Sequence, residues 1–165
     1  MVGIADIQFD LMSLVGKDAW QVSRIHGSMF FLEIGNKRAS SYRRRDGTIR
    51  YFDHGEWHFM FNMVQWRFEK DDQVVVACED EQTIIDQIFE GMTLGVVKAV
   101  CISPVGLDLK IDFDAQISLK TFSNSGRQEW DQWTLYCPDD RYWSANGQNV
   151  LATGHSSEPR TEFSE

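Results

Sequence analysis

The stretch Asp108-Leu109-Lys110-Ile111-Asp112-Phe113-Asp114-Ala115-Gln116-Ile117-Ser118-Leu119-Lys120-Thr121-Phe122 decides how the rest of the chain is read. Leu109, Ile111, Phe113, Ala115, Ile117 and Leu119 are apolar, and the residues between them are polar. Successive strand side chains point to opposite faces, so this alternation describes a sheet with one dry face and one wet face. On a helix the same apolar residues would be spread around the whole circumference. The run is about twice the usual strand length, and Asp114-Ala115 lies near its middle. It predicts a hairpin that turns there, with both arms facing a single core.

Outward from that hairpin, the chain is punctuated by similar signals. Ile4, Ile7, Leu11 and Leu14 recur at helical spacing with Gly16 as a stop, which predicts a helix over Ile4 to Val15. Ala19 to Ile25 and Met29 to Ile34 read as strands joined at His26-Gly27-Ser28, with Gly35-Asn36 ending the second. Asp46-Gly47 sits between Ser41-Tyr42-Arg43 and Thr48-Ile49-Arg50-Tyr51, a strong hairpin signal because both turn residues tolerate positive φ. It predicts a protruding two-stranded ribbon or a loop. Glu56 to Glu69 reads as one long strand whose apolar positions change phase: Trp57, Phe59, Phe61 and Met63 are odd, Val64, Trp66 and Phe68 even. A β-bulge would produce that change. Val74 to Cys78 is a strand, and Ile84, Ile85, Ile88 and Phe89 mark a second helix with Asp80 as its N-cap and Gly91 as its stop. Val96 to Ile102, Trp133 to Cys137 and Arg141 to Ser144 complete the strands.

These elements predict an α+β fold that is mainly β. About nine short strands form an antiparallel sheet or half-open barrel, with two short helices packed on one side. Residues 1–151 form a single domain, and the polar composition from Ala152 to Glu165 predicts a flexible tail.

At 165 residues, 42% hydrophobic and 13% aromatic, the chain can fill one core and is not disordered. It contains no apolar run long enough to span a membrane. Met1 to Gly16 carries Asp6 and Asp10 and lacks a basic start, a poor signal peptide. Cys78, Cys101 and Cys137 are odd in number, widely spaced and without a CxxC, which suits buried thiols in a reducing cytoplasm.

Charge is unevenly divided. Between Lys37 and Arg50 six basic residues meet one acidic residue, a local +5. The net charge of −9 over the chain leaves −14 for everything else. A field of that sign repels nucleic-acid phosphate from most of the surface and favours a basic protein partner. The basic stretch itself, with Tyr42 and Tyr51 among its arginines, resembles a small nucleic-acid patch, but the acidic total makes a solvated loop the expectation there.

Catalytic signals are weak. His54 and His58 have the spacing of metal ligands on a helix, but on a strand residues four apart lie ~13 Å from each other, too far to share a zinc ion. No Gly-x-Ser-x-Gly elbow, phosphate loop or dinucleotide fingerprint is present. Asp112 and Asp114 fall on the wet side of the hairpin, where solvated carboxylates are ordinary. The three cysteines lie in or beside strands, where burial raises the thiol pKa. No catalytic residue, metal or cofactor is expected. The cluster Trp130, Trp133, Tyr136, Tyr142 and Trp143 offers interface anchors, with Trp133 expected inside and Trp130 and Trp143 as contact residues.

The order of apolar positions then suggests a family. Leu14-x-Gly16 is followed by a strand with Trp20 and Arg24 and a long strand ending in Trp66. Next come Leu109-x-Ile111-x-Phe113, Ile117-x-Leu119 running to Phe122, and Trp133-x-Leu135. This pattern resembles small β-rich bacterial domains, some of which accompany secreted toxins as cytoplasmic immunity proteins. The resemblance implies stoichiometric binding of a cognate toxin and carries no catalytic residue over. The expected contact surface is acidic: Asp71 and Asp72 in a strand turn, and Glu79, Asp80 and Glu81 at a helix start. The alternatives from other classes are a small-molecule binder or enzyme with a pocket in a curved sheet, and an accessory subunit of a larger assembly.

Overall fold

The structure of the protein, a computed structural model, is described over residues 2–156. Helix α1 spans Ile4–Ser13. Strands β1 (Asp18–Arg24), β2 (Phe30–Arg43), β3 (Ile49–Phe61), β4 (Gln65–Lys70) and β5 (Gln73–Ala77) precede helix α2 (Gln82–Gly91). Strands β6 (Gly95–Ile102), β7 (Leu109–Phe113), β8 (Ile117–Phe122), β9 (Asp131–Tyr136), β10 (Arg141–Asn146) and β11 (Leu151–His155) follow. The eleven strands form one open antiparallel sheet in the order β11-β10-β9-β3-β2-β1-β6-β7-β8-β4-β5.

The organising hairpin is β7 and β8, turning through Asp114, Ala115 and Gln116, with Ile111 opposite Leu119. Leu109, Ile111, Phe113, Ile117 and Leu119 are all buried, while Lys110 is exposed. The alternation alone was sufficient here because both arms have the same dry side.

The sheet curls until its two ends share a core. Phe30 on β2 lies 4.8 Å from the Trp66 ring and 5.8 Å from Phe68, both on β4, five places away in strand order. Phe89 of α2 completes this cluster at 5.5 Å from Phe30 and from Trp66. Trp133 of β9 donates its indole N–H to the Leu107 carbonyl (2.9 Å) between β6 and β7, joining the halves a second time. Helix α2 packs on β1 and β5, held to β1 by Arg24, whose Nε and Nη2 donate to both Asp86 carboxylate oxygens at 2.6 and 2.7 Å. Helix α1 lies on β6, burying Ile7, Leu11 and Leu14.

Several expectations are corrected. Residues 56–69 are not one bulged strand. The chain leaves β3 at Phe61, which belongs beside β9, and enters β4, which belongs beside β8. The phase change at Val64 is the crossing from one half of the sheet to the other. Strand β2 does not end at Gly35-Asn36 but runs through to Arg43, with a register shift between Ile34 and Lys37. Gly35 has φ +82°, and a Cβ there would run into the Glu56 side chain, so glycine is what lets the strand continue. The expected tail boundary is also moved. Residues 151–155 form β11, with Leu151 buried and paired to Ala145, so the domain reaches at least to His155. Residues 157–165 lie outside the described residues. Finally, Asp80 does not cap α2. The N-cap is Glu81, without a side-chain cap bond, and the Asp80 carboxylate accepts the Ala77 N–H at 2.8 Å.

Candidate functional site

The expected acidic residues gather along one edge of the sheet. Among the described residues, strand β5 ends the strand order with β4 as its single strand neighbour, so no described strand faces its outer backbone groups. Asp71 and Asp72 form the β4–β5 turn at φ 51° and 59°, a conformation that aspartate tolerates better than most residues. Glu79, Asp80 and Glu81 lie at the other end of β5, before α2. All five are exposed, as is Val74 between them. The strand separates the two acidic groups by about 17 Å, the length of five extended residues. They flank one edge rather than form one patch.

The two tryptophans proposed as contacts part company. Trp130, just before β9, is 65% exposed. Trp143 is corrected: at 4% exposure it presents no surface, and its indole N–H donates to the Asp10 carboxylate of α1 at 2.7 Å. Arg141 holds the same carboxylate at 3.1 Å, so the buried acid is neutralised where α1 meets β10. Two residues 133 positions apart made this pairing, and no local signal announces it.

Other candidates resolve into structural roles. Asp112 accepts the Ser118 hydroxyl, and Asp114 accepts the Val96 N–H at 3.1 Å. Cys137 is buried, and desolvation pushes its thiol up to about 12. Cys101, expected inside, is exposed because it sits at an outward position of β6. Among the described residues no group of three or more His, Cys, Asp or Glu could hold a metal ion, and no helix is long and apolar enough to cross a membrane. Two surface clefts, of about 490 and 260 Å³, mark the exterior. In the larger, Lys17 pairs with Glu56 at 3.3 Å and Lys37 sits 4.6 Å from the Trp20 ring centroid.

The arginine-rich segment is a two-stranded ribbon, one of the two forms its Asp-Gly signal left open, and not a loop. Residues 37–43 of β2 pair with 49–55 of β3, and among the described residues no third strand joins them there. Residues 41–53 are all exposed. Three of the body's arginines are engaged: Arg24 with Asp86, Arg67 with Glu69, Arg141 with Asp10 and Asp139. Among the described residues, Arg43, Arg44, Arg45 and Arg50 make no ion pair or side-chain hydrogen bond to another residue.

At the base of the ribbon the His54 and His58 rings, on one face of β3, lean together to a centroid distance of 6.4 Å. The irregular register at Ile34 to Lys37 lies directly across from them. Buried Glu33 accepts the Gly55 N–H at 2.7 Å, and His58 Nδ1 lies 2.7 Å from the same carboxylate. The two rings belong to a longer series. Tyr42 and Phe52 are 5.9 Å apart, Phe52 and His54 6.3 Å, His58 and Tyr136 5.7 Å, Tyr136 and Tyr142 6.4 Å. In the sequence Tyr136 and Tyr142 belong to one aromatic cluster and Tyr42 stands apart among the arginines. Their alignment depends on the pairing of β2, β3, β9 and β10, which the sequence does not display.

No family model matches the chain, and no curated protein or solved structure is similar to it. The likeness to immunity-type domains therefore rests on the residue pattern alone.

Proposed function

We propose that this protein acts by stoichiometric binding to a basic protein partner, in the way an immunity protein occludes a toxin, and that it catalyses no reaction. The observation that carries this reading is the acid-flanked free edge of β5. A partner strand laid along that edge would gain main-chain hydrogen bonds and meet carboxylates at both ends. The −14 outside the basic segment would speed its approach, and salt would weaken that attraction. The tightly filled core supports an exterior mode of action, since Phe30, Phe59, Phe61, Trp66 and Trp133 occupy the space inside the curled sheet. Three free cysteines fit a protein that works in a reducing compartment.

The test is co-purification with the product of the neighbouring gene, repeated with Asp71→Asn, Asp72→Asn, Glu79→Lys and Glu81→Lys together. Asparagine keeps the positive φ of the turn tolerable, and Asp80 is left to hold the Ala77 N–H. The folded variant is expected to lose most binding at low salt. Unchanged affinity would remove the β5 edge as the interface and turn attention to exposed Trp130.

A further inference from the structure

We propose that the β2–β3 ribbon and the ring row at its base form a binding surface for single-stranded nucleic acid, separate from the acidic edge. Two independent features meet there. The first is geometric. Cross-strand partners share a face, so Arg38 with His54, Ser40 with Phe52 and Tyr42 with Arg50 stand on one side of the ribbon. That side continues onto the body, where His58, Tyr136 and Tyr142 are register neighbours on β3, β9 and β10. Six rings from Tyr42 to Tyr142 thus follow one another at centroid spacings of 5.7 to 6.4 Å. The spacing exceeds the ~3.4 Å of stacked bases, so each accessible ring would take one base of a splayed strand rather than the edge of a duplex. Tyr42 is 48% and Phe52 39% exposed, and at the far end Gly154 lies against the Tyr142 ring, where a Cβ would collide with it.

The second feature is charge. Among the described residues Arg43, Arg45 and Arg50 form no ion pair, Arg44 feels the Asp46 charge across the turn without a hydrogen bond to it, and the ribbon's two acids have other placements. Asp46 accepts from the Thr48 N–H and hydroxyl at the turn, and Asp53 pairs with Ala39 on the opposite face. Repulsion from the body does not reach the tip. Seven cross-strand pairs extend about 20 Å, more than two Debye lengths at physiological salt, each about 8 Å. An acidic protein would use the guanidinium groups but leave the ring row idle, whereas bases on a phosphate backbone use both. This favours a nucleic-acid strand over an acidic peptide.

The test is fluorescence anisotropy of labelled 20-nucleotide oligo(dT) and oligo(U) with the full chain at 50 and 200 mM salt. A 20-base-pair duplex and poly-glutamate serve as competitors. At least one single strand is expected to bind, more weakly at the higher salt, and the comparison of dT with U tells DNA from RNA. Tyr42→Ala and Phe52→Ala should each weaken binding roughly tenfold, with an unchanged melt, while Tyr51→Ala on the other face should leave it unaltered. Each of Arg43, Arg44 and Arg45 changed to Ala should lower the salt slope by about one. The proposal is overturned if neither strand binds at 50 mM salt, or if Tyr51→Ala costs as much as Tyr42→Ala. It is also overturned if poly-glutamate displaces the strand as well as unlabelled oligonucleotide does, which would assign the ribbon to an acidic protein. The four-site β5 variant should bind these strands at least as well as the parent, so failure of the basic-partner reading and failure of this one are told apart.

Discussion

In the β7–β8 hairpin every second residue is taken out of water, whereas in the outer β2–β3 hairpin residues 41–53 are exposed on both faces. The first hairpin has neighbours on both sides, β6 and β4, and a core beneath it. The second, beyond residue 36, has only itself. An isolated two-stranded ribbon is marginal in water, so this one is held by its base. There Glu33 ties Gly55 and His58 together, and Trp20 donates to the Gly35 carbonyl at 3.0 Å. The charges divide in the same way. Arg24, Arg67 and Arg141 of the body are held by acids of the fold, whereas among the described residues Arg43, Arg45 and Arg50 of the ribbon form no ion pair. Exposed charged and aromatic side chains without a role in the core are where a contact with another molecule is to be sought.

This contrast can be broken by experiment. The largest effect is expected in the buried hairpin. Ile111→Ala should cost about 2–5 kcal/mol in a denaturant titration, the range for a core aliphatic, while Lys110→Ala on the wet face should stay within about 0.5 kcal/mol. Equal losses would mean that the two faces are not distinct. Next comes the base of the ribbon. Glu33→Ala removes the acceptor of the buried Gly55 N–H and should lower stability by about 1–3 kcal/mol, read from the same titration. A neutral result would show that water or another group replaces the carboxylate, and the ribbon would then need a different anchor.

The outer ribbon itself should be nearly dispensable for the fold. Replacing residues 40–52 with Asn-Gly, which closes the strands by a two-residue turn, should leave the melting temperature within about 4 °C of the parent. A drop of ten degrees or more would make the ribbon part of the scaffold. The smallest effect is expected at Glu69. The Lys120 ammonium at 2.8 Å, and after it Arg67, hold its carboxyl below the usual glutamate value against an opposing desolvation. A lowered folded-state pKa contributes stability at neutral pH that is lost as pH falls through that lowered value. Glu69→Gln should therefore cost no more than about 1 kcal/mol at pH 7, and the gap to the parent should close on acidification below the usual glutamate value of 4.5. A gap that widens toward low pH would reverse the sign of the pairing.

The acidic edge and the basic ribbon were both visible in the composition, but their geometry was not. Asp71 and Asp72 read as a turn and form one, and Asp46-Gly47 read as a hairpin turn and closes the ribbon. Asp80 looked like a cap because the residues after it form a helix, yet its carboxylate reaches back to Ala77. Trp143 looked like a surface anchor because it belongs to a cluster of aromatic residues with Trp130. Asp10, on a helix at the other end of the chain, provides the buried acceptor that draws it in.

The sequence by itself determined what depends on a few consecutive residues: the period-two alternation of β7 and β8, the helical spacing of α1 and α2, the Asp-Gly turn, and +5 set within −14. Backbone geometry decides these, because side-chain direction repeats every two residues in a strand and every 3.6 in a helix. Only the tertiary structure decided that the chain crosses between Phe61 and Gln65 to the far half of the sheet. It alone decided that Phe30 meets Trp66 and that rings from four strands line up from Tyr42 to Tyr142. Which strands become neighbours is set by closing long loops and filling one shared core, a balance over the whole molecule that no single stretch of residues records.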